Sequence, residues 1–139
     1  MEQIAIFFKF LNLYSHNSHF RVGRSSFFSD HEYLGELYDT YESAYDAVIE
    51  RMIGLGQNPD NFAIVNAANA KFQQFKDEVV TKNATYFVNI LSFEKQLVAL
   101  LESVAPNVSL GTNNIIASWA DESEQRQYKL GQRVDAEIK

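Results

Sequence analysis

The stretch SDHEYLGELYDTYESAYDAVIERMIGLG, residues 29–56, decides the architecture of this chain. Within it Leu34, Leu37, Tyr41, Ala44, Val48, Met52 and Leu55 recur at steps of three and four, the spacing that keeps side chains on one side of an α-helix. Ser29 and Glu32 stand three apart just ahead of that seam, the pattern of a capping box, and predict where the helix starts. Gly56, with Pro59 close behind, predicts where it stops. A single helix of roughly 27 residues follows, far above the usual length of about 11.

That helix also holds the net charge of the molecule. Between Phe28 and Leu55 lie seven acids (Asp30, Glu32, Glu36, Asp39, Glu42, Asp46 and Glu50) and one base, Arg51, which gives −6; the remaining 11 acids and 11 bases cancel. Six of the acids, from Glu32 to Glu50, form a stripe about 120° wide opposite the apolar seam. A solvated face is the ordinary reading of such a run. Solvated faces normally mix signs, however, because like charges four apart repel, whereas a one-sign stripe is tolerated where cations bind.

Outward from this helix, helical periodicity dominates. Residues 2 to about 20 carry Ile4, Phe7, Phe8, Leu11 and Tyr14 on one side and Ile6, Phe10 and Leu13 on another, which predicts a helix buried on most sides. Arg21 to Ser26 reads as a loop. Asp60 to Ala70 reads as a short helix, and a third long helix ends at Val104 ahead of Pro106, with Tyr86, Ile90, Phe93, Leu97 and Leu101 in its seam. A last, more polar helix spans Asn113 to about Val134, with Ile115, Ile116, Trp119, Tyr128 and Leu130 on its apolar face. The expected fold is all-α: residues 1–139 as one ferritin-like four-helix bundle, with a short extra helix in the crossover between helices two and three.

Composition narrows the function. The chain has 139 residues, 46% hydrophobic, which suits one domain with a sizeable core. No cysteine is present, so disulfides, thiolate metal sites and thiol nucleophiles are excluded. No glycine-flanked serine elbow or glycine-rich phosphate loop occurs either. The apolar run from Ile4 to Tyr14 is too short for a membrane span, is interrupted by Lys9, and follows Glu2 where a signal peptide would be basic. A cytoplasmic protein with no membrane association is expected.

The candidate chemistry is metal binding. His16, His19 and His31 cluster at the start of the acidic helix or just before it. Asp46 and Glu50, four apart, place two carboxylates on one helix face. Histidine and carboxylate donors without cysteine favour iron, manganese or zinc. Yet His31 and Asp46 are 15 residues apart on one helix, or about 22 Å along its axis. If both are ligands of one site, one must come from another subunit, most simply by two-fold antiparallel pairing of the acidic helices. A lone histidine is more often structural, and His16 is read that way.

Through Ser18-His19-Phe20, Phe27-Phe28-Ser29-Asp30-His31-Glu32, Asp46-Ala47-Val48-Ile49-Glu50-Arg51 and Leu55-Gly56, the chain resembles the Dps-type mini-ferritins. The resemblance implies a hollow shell of twelve subunits, with ferroxidase centres at two-fold interfaces. His19 and His31 of one subunit and Asp46 and Glu50 of another would be the catalytic and metal-binding residues. Fe(II) would be oxidised there by peroxide or oxygen and stored as Fe(III), detoxifying both; zinc or manganese are alternative occupants.

Several positions depart from the family pattern. Where relatives carry an aspartate four residues after the second histidine, this chain has Gly35, with Glu36 beside it. The aromatics expected near the centre are Phe20 and Tyr128. Residues 109–114, SLGTNN, carry asparagines where relatives have pore aspartates. With the first helix read from residue 2, the basic N-terminal tail that lets some relatives bind DNA is not expected, and with −6 per subunit neither is direct DNA binding. The alternative is a metal-binding or structural shell with little ferroxidase activity; a helical interaction module without a shell is the third reading.

Overall fold

Leu34, Leu37, Tyr41, Val48 and Met52 are all buried in a computed structural model of the chain, and the six acids of the stripe are all exposed. The structure describes the backbone over residues 1–138 and the side chains over residues 1–135. Among the described residues there are five α-helices, α1 (Glu2–Arg21), α2 (Phe27–Gly54), α3 (Asn61–Gln73), α4 (Ala84–Val104) and α5 (Leu110–Ile138), and no strand. The fold is all-α and ferritin-like in its element order, two hairpins of long helices with a short helix in the connection. None of the described helices is long and apolar enough to cross a membrane.

Residues 1–83 form one compact unit and residues from Ala84 onward a second. In the first, α1 packs against α2 and α3. α1 buries Ile4, Phe7, Phe8, Phe10, Leu11 and Tyr14, the near-continuous burial that its apolar residues on several sides predict. Asn12, itself buried, donates from Nδ2 to the carbonyl of Tyr38 at 2.9 Å and ties α1 to α2. α3 starts at the N-cap Asp60, whose side chain accepts from the Ala63 amide at 3.1 Å. It buries Ile64 and Ala68 and sets the Lys71 ammonium 4.0 Å from the centre of the Phe7 ring, a cation–π contact; burial pushes the Lys71 pKa down. In the second unit α4 packs against α5.

Two helix starts differ from the sequence reading. α2 begins at Phe27 rather than after Ser29, so no capping box forms; Ser29 lies inside the first turn and donates to the Ser26 carbonyl. α5 begins at Leu110 rather than Asn113, because Ser109 caps it by accepting from the Thr112 amide at 3.2 Å. The end of α2 is as expected. Gly56, at φ +83°, sits just beyond the helix, and its amide and that of Gln57 donate back to the carbonyls of Ile53 and Met52, both at 3.0 Å. A left-handed backbone of this kind favours glycine.

The α1–α2 turn is locked from a distance. Asn83 donates from Nδ2 to the Gly23 carbonyl (2.7 Å), Ser26 Oγ (3.1 Å) and Asp30 Oδ2 (3.1 Å), and its Oδ1 accepts from the Gly23 amide (3.2 Å). Ser26 also donates to Asp30 Oδ2 at 2.7 Å, and Asp30 is buried, unlike the rest of the acids counted with it. Asn83→Ala removes all four Asn83 bonds from a partly buried turn and is expected to cost about 1–3 kcal/mol of folding stability. Urea unfolding monitored by circular dichroism checks this; a loss below about 0.5 kcal/mol contradicts it.

Candidate metal centre

His19 lies in the last turn of α1 and His31 in the second turn of α2, so the hairpin brings the two rings together. The rings stack with centroids 3.6 Å apart and planes 19° apart. His19 Nδ1 lies 2.7 Å from the backbone carbonyl of His31, and His31 Nδ1 lies 2.8 Å from the carbonyl of His19. A carbonyl can only accept, so each Nδ1 carries the proton and donates. With Nδ1 donating, Nε2 is the nitrogen left for a metal on each ring. The carbonyl of His19 is one of the four at the C-terminus of α1 without a partner inside the helix, which explains why it is open to this bond.

Aromatic rings surround the pair. Phe27 stacks on His31 at 4.8 Å, and Tyr38 meets His19 edge-on at 5.3 Å. His16 stacks on Tyr38 at 4.2 Å, in keeping with its structural reading. Phe20 meets His19 at 5.6 Å yet is 66% exposed, and Tyr128 on α5 is 69% exposed. Gly35 faces the His19 ring: a Cβ built there would stand 3.2 Å from Cε1 and 3.3 Å from Nδ1. Sequence reasoning missed both this approach and the part played by Tyr38. The only signal was a glycine inside a helix, where it costs about 1 kcal/mol relative to alanine.

Asp46 and Glu50 lie elsewhere. Both are exposed on α2, which runs unbroken from Phe27 to Gly54, so about 22 Å of helix separates Asp46 from His31. Among the described residues no three histidine or acidic side chains gather closely enough to hold a metal ion. The structure thus brings His19 and His31 together, and Asp46 and Glu50 together on one helix face, and keeps the two pairs apart. Tyr45, next to Asp46, donates its hydroxyl to Asn61 Oδ1. Its pKa is raised by burial first and by the charge of Asp46 second, so the phenol stays protonated at neutral pH. Residues 109–114 belong to the cap and first turn of α5 rather than to a loop, and Asn113 Nδ2 is occupied by the Ala105 carbonyl at 2.9 Å.

Two pairs of long helices with a short helix between them are consistent with a ferritin-like helical bundle. Among curated proteins, the chain is similar to the DNA protection during starvation protein of Helicobacter pylori (strain J99 / ATCC 700824). The two are 25% identical over 126 residues, which cover 88% of this chain and 85% of that protein. This supports a distant relationship to the Dps and ferritin-like proteins along nearly the whole chain. No family model matches the chain, and no solved structure matches it.

Proposed function

We propose that this protein, acting as one ferritin-like domain, assembles into a shell of twelve subunits that oxidises Fe(II) with peroxide or oxygen and stores the product. The observation that carries this reading is the reciprocal lock between His19 and His31, which holds two imidazoles as Nδ1–H tautomers beside an acidic helix. Borderline ions such as Fe(II) suit nitrogen and carboxylate donors. A bound ion lies near the plane of its imidazole, and planes this close to parallel do not converge on one point. The pair therefore offers one nitrogen to each of two neighbouring positions. With Gly35 in place of a carboxylate, the position at His31 is the weaker of the two.

The remaining donors come from a second copy. When two α2 helices pair antiparallel and flush, Phe27 against Gly54 of the partner subunit, His31 falls opposite Glu50 of the partner subunit. Gly35 then falls opposite Asp46 of the partner subunit. Phe28 and Ile53 support this register: both are large, apolar and exposed (84% and 59%), and both lie on the helix face of Asp46. Flush pairing covers each Phe28 with Ile53 of the partner subunit. Each Fe(II) gives up one electron to the oxidant, and the acidic interior draws in further cations.

The test is solution mass by light scattering together with anaerobic Fe(II) binding. A mass near twelve chains with one to two Fe(II) per subunit is expected. A shell that binds Fe(II) but shows no rapid peroxide-driven oxidation favours the second reading, a metal-binding shell, to which the missing carboxylate at Gly35 points. A monomer contradicts both readings, because α2 cannot bring its own His31 to its own Asp46.

A further inference from the structure

We infer that Gly35 is a positioning residue: its missing side chain admits the His19 imidazole and thereby holds the His19–His31 pair in the tautomer that exposes Nε2 to metal. The inference rests in part on the metal-binding reading above, but the geometry of the rings stands without it. Glycine is a poor choice for the interior of a 28-residue helix. Its backbone is ordinary here, since among the described residues Gly56 is the glycine at positive φ, so no turn or left-handed conformation calls for it.

Space does call for it. A Cβ at position 35 would sit 3.2 and 3.3 Å from two atoms of the His19 ring, closer than ordinary van der Waals contact. At Gly54 and Gly131, also in helices, a Cβ would meet nothing within 4 Å, in contrast to Gly35. The His19 ring has little slack with which to yield. It already stacks 3.6 Å from His31, and its Nδ1 is held by a 2.7 Å bond to the His31 carbonyl. Displacement along the stack meets the second ring, and displacement within the plane stretches the bond that fixes the proton on Nδ1. Because the two rings are stacked, moving the His19 ring also disturbs the ring of His31, whose Nδ1 donates to the His19 backbone carbonyl. An absent methyl group on α2 thus leaves room for the stacked pair in which each Nδ1 meets a backbone carbonyl.

The consequence separates two properties that usually change together. Gly35→Ala removes a helix-weakening glycine while pushing His19 out of register. The experiment uses the full-length assembled protein, with Co(II) as probe under anaerobic conditions and 15N-histidine labelling read by solid-state NMR. Only three histidines contribute signals. In the wild-type protein without metal, His19 and His31 are expected as Nδ1–H tautomers; Gly35→Ala should replace those two signals with mixed or Nε2–H forms. Co(II) affinity should fall at least about tenfold, with the oligomer intact and the melting temperature unchanged or raised.

Unchanged tautomer signals in Gly35→Ala overturn the inference, whatever the metal does. Unchanged Co(II) affinity with altered signals overturns its metal-positioning half. If the wild-type protein binds no Co(II) yet the signals move as expected, the ring-positioning inference stands and the metal-centre reading fails.

Discussion

Replacing Asp46 and Glu50 together by alanine is expected to abolish the proposed rapid Fe(II) oxidation and to leave the proposed assembly intact. Both side chains are exposed on α2, where alanine is the better helix former, so the fold loses little and stability should stay within about 0.5 kcal/mol. The proposed sites lose much more. Each ion would keep one imidazole and no protein carboxylate, and second-sphere changes alone cost metal sites about 10- to 100-fold, so loss of both carboxylate ligands should slow oxidation at least about 100-fold. Stopped-flow absorbance of Fe(III) formation after addition of peroxide, paired with light scattering, reads both halves of the expectation. Wild-type kinetics in the double variant would remove Asp46 and Glu50 from the site.

The largest expected effect on stability lies in the second helical unit. Arg126 on α5 directs Nε to both carboxylate oxygens of Glu94 on α4, each at 3.0 Å. Glu94 is 0% exposed, and its backbone carbonyl also accepts from Ser123. Arg126→Ala withdraws these charge-assisted bonds from a carboxylate in the core. Breaking such a pair from one side costs about 3–5 kcal/mol, whereas replacing both partners by apolar residues of similar volume is often close to neutral. Arg126→Ala is therefore expected to be far less stable than Glu94→Leu combined with Arg126→Leu, as measured by denaturant unfolding. Equal stability of the two variants contradicts this account of the pair.

Much of the fold was legible because burial has a period. Leu34, Leu37, Tyr41, Val48 and Met52 of α2 and Ile4, Phe7, Phe8, Phe10, Leu11 and Tyr14 of α1 are buried where steps of three and four put them, while Ala44, Ile6 and Leu13 are only half-buried. Leu55, counted in the seam, is half exposed because it sits past the last turn of α2, where helical spacing no longer governs. Helix starts were less legible. A capping box at Ser29 is a good local pattern, but Phe27 and Phe28 extend α2 upstream, and Ser26, Asp30 and Asn83 form a network that no local pattern reveals. The same holds for Ser109, whose capping of α5 was hidden by the turn-like residues that follow it.

At the candidate site, the wide separation of His31 from Asp46 along α2 was legible, because helix length is simple arithmetic. The reciprocal bonds between His19 and His31 were not, since they depend on backbone carbonyls, which carry no mark in the sequence. Nor was the function of Gly35. A glycine that acts by leaving room for a side chain on another helix looks, in sequence, like a missing ligand.

The central claim is that each metal site is shared between two chains, and subunit complementation tests it most directly. One chain carries His19→Gln and His31→Gln; the other carries Asp46→Ala and Glu50→Ala; each alone should be inactive in Fe(II) oxidation. Coexpressed in equal amounts, half of the two-fold pairs contain one chain of each kind, and each such pair rebuilds one complete site from intact histidines and intact carboxylates. The account predicts recovery of about a quarter of the wild-type rate from this pairing statistic. No recovery in correctly assembled mixed shells would contradict it.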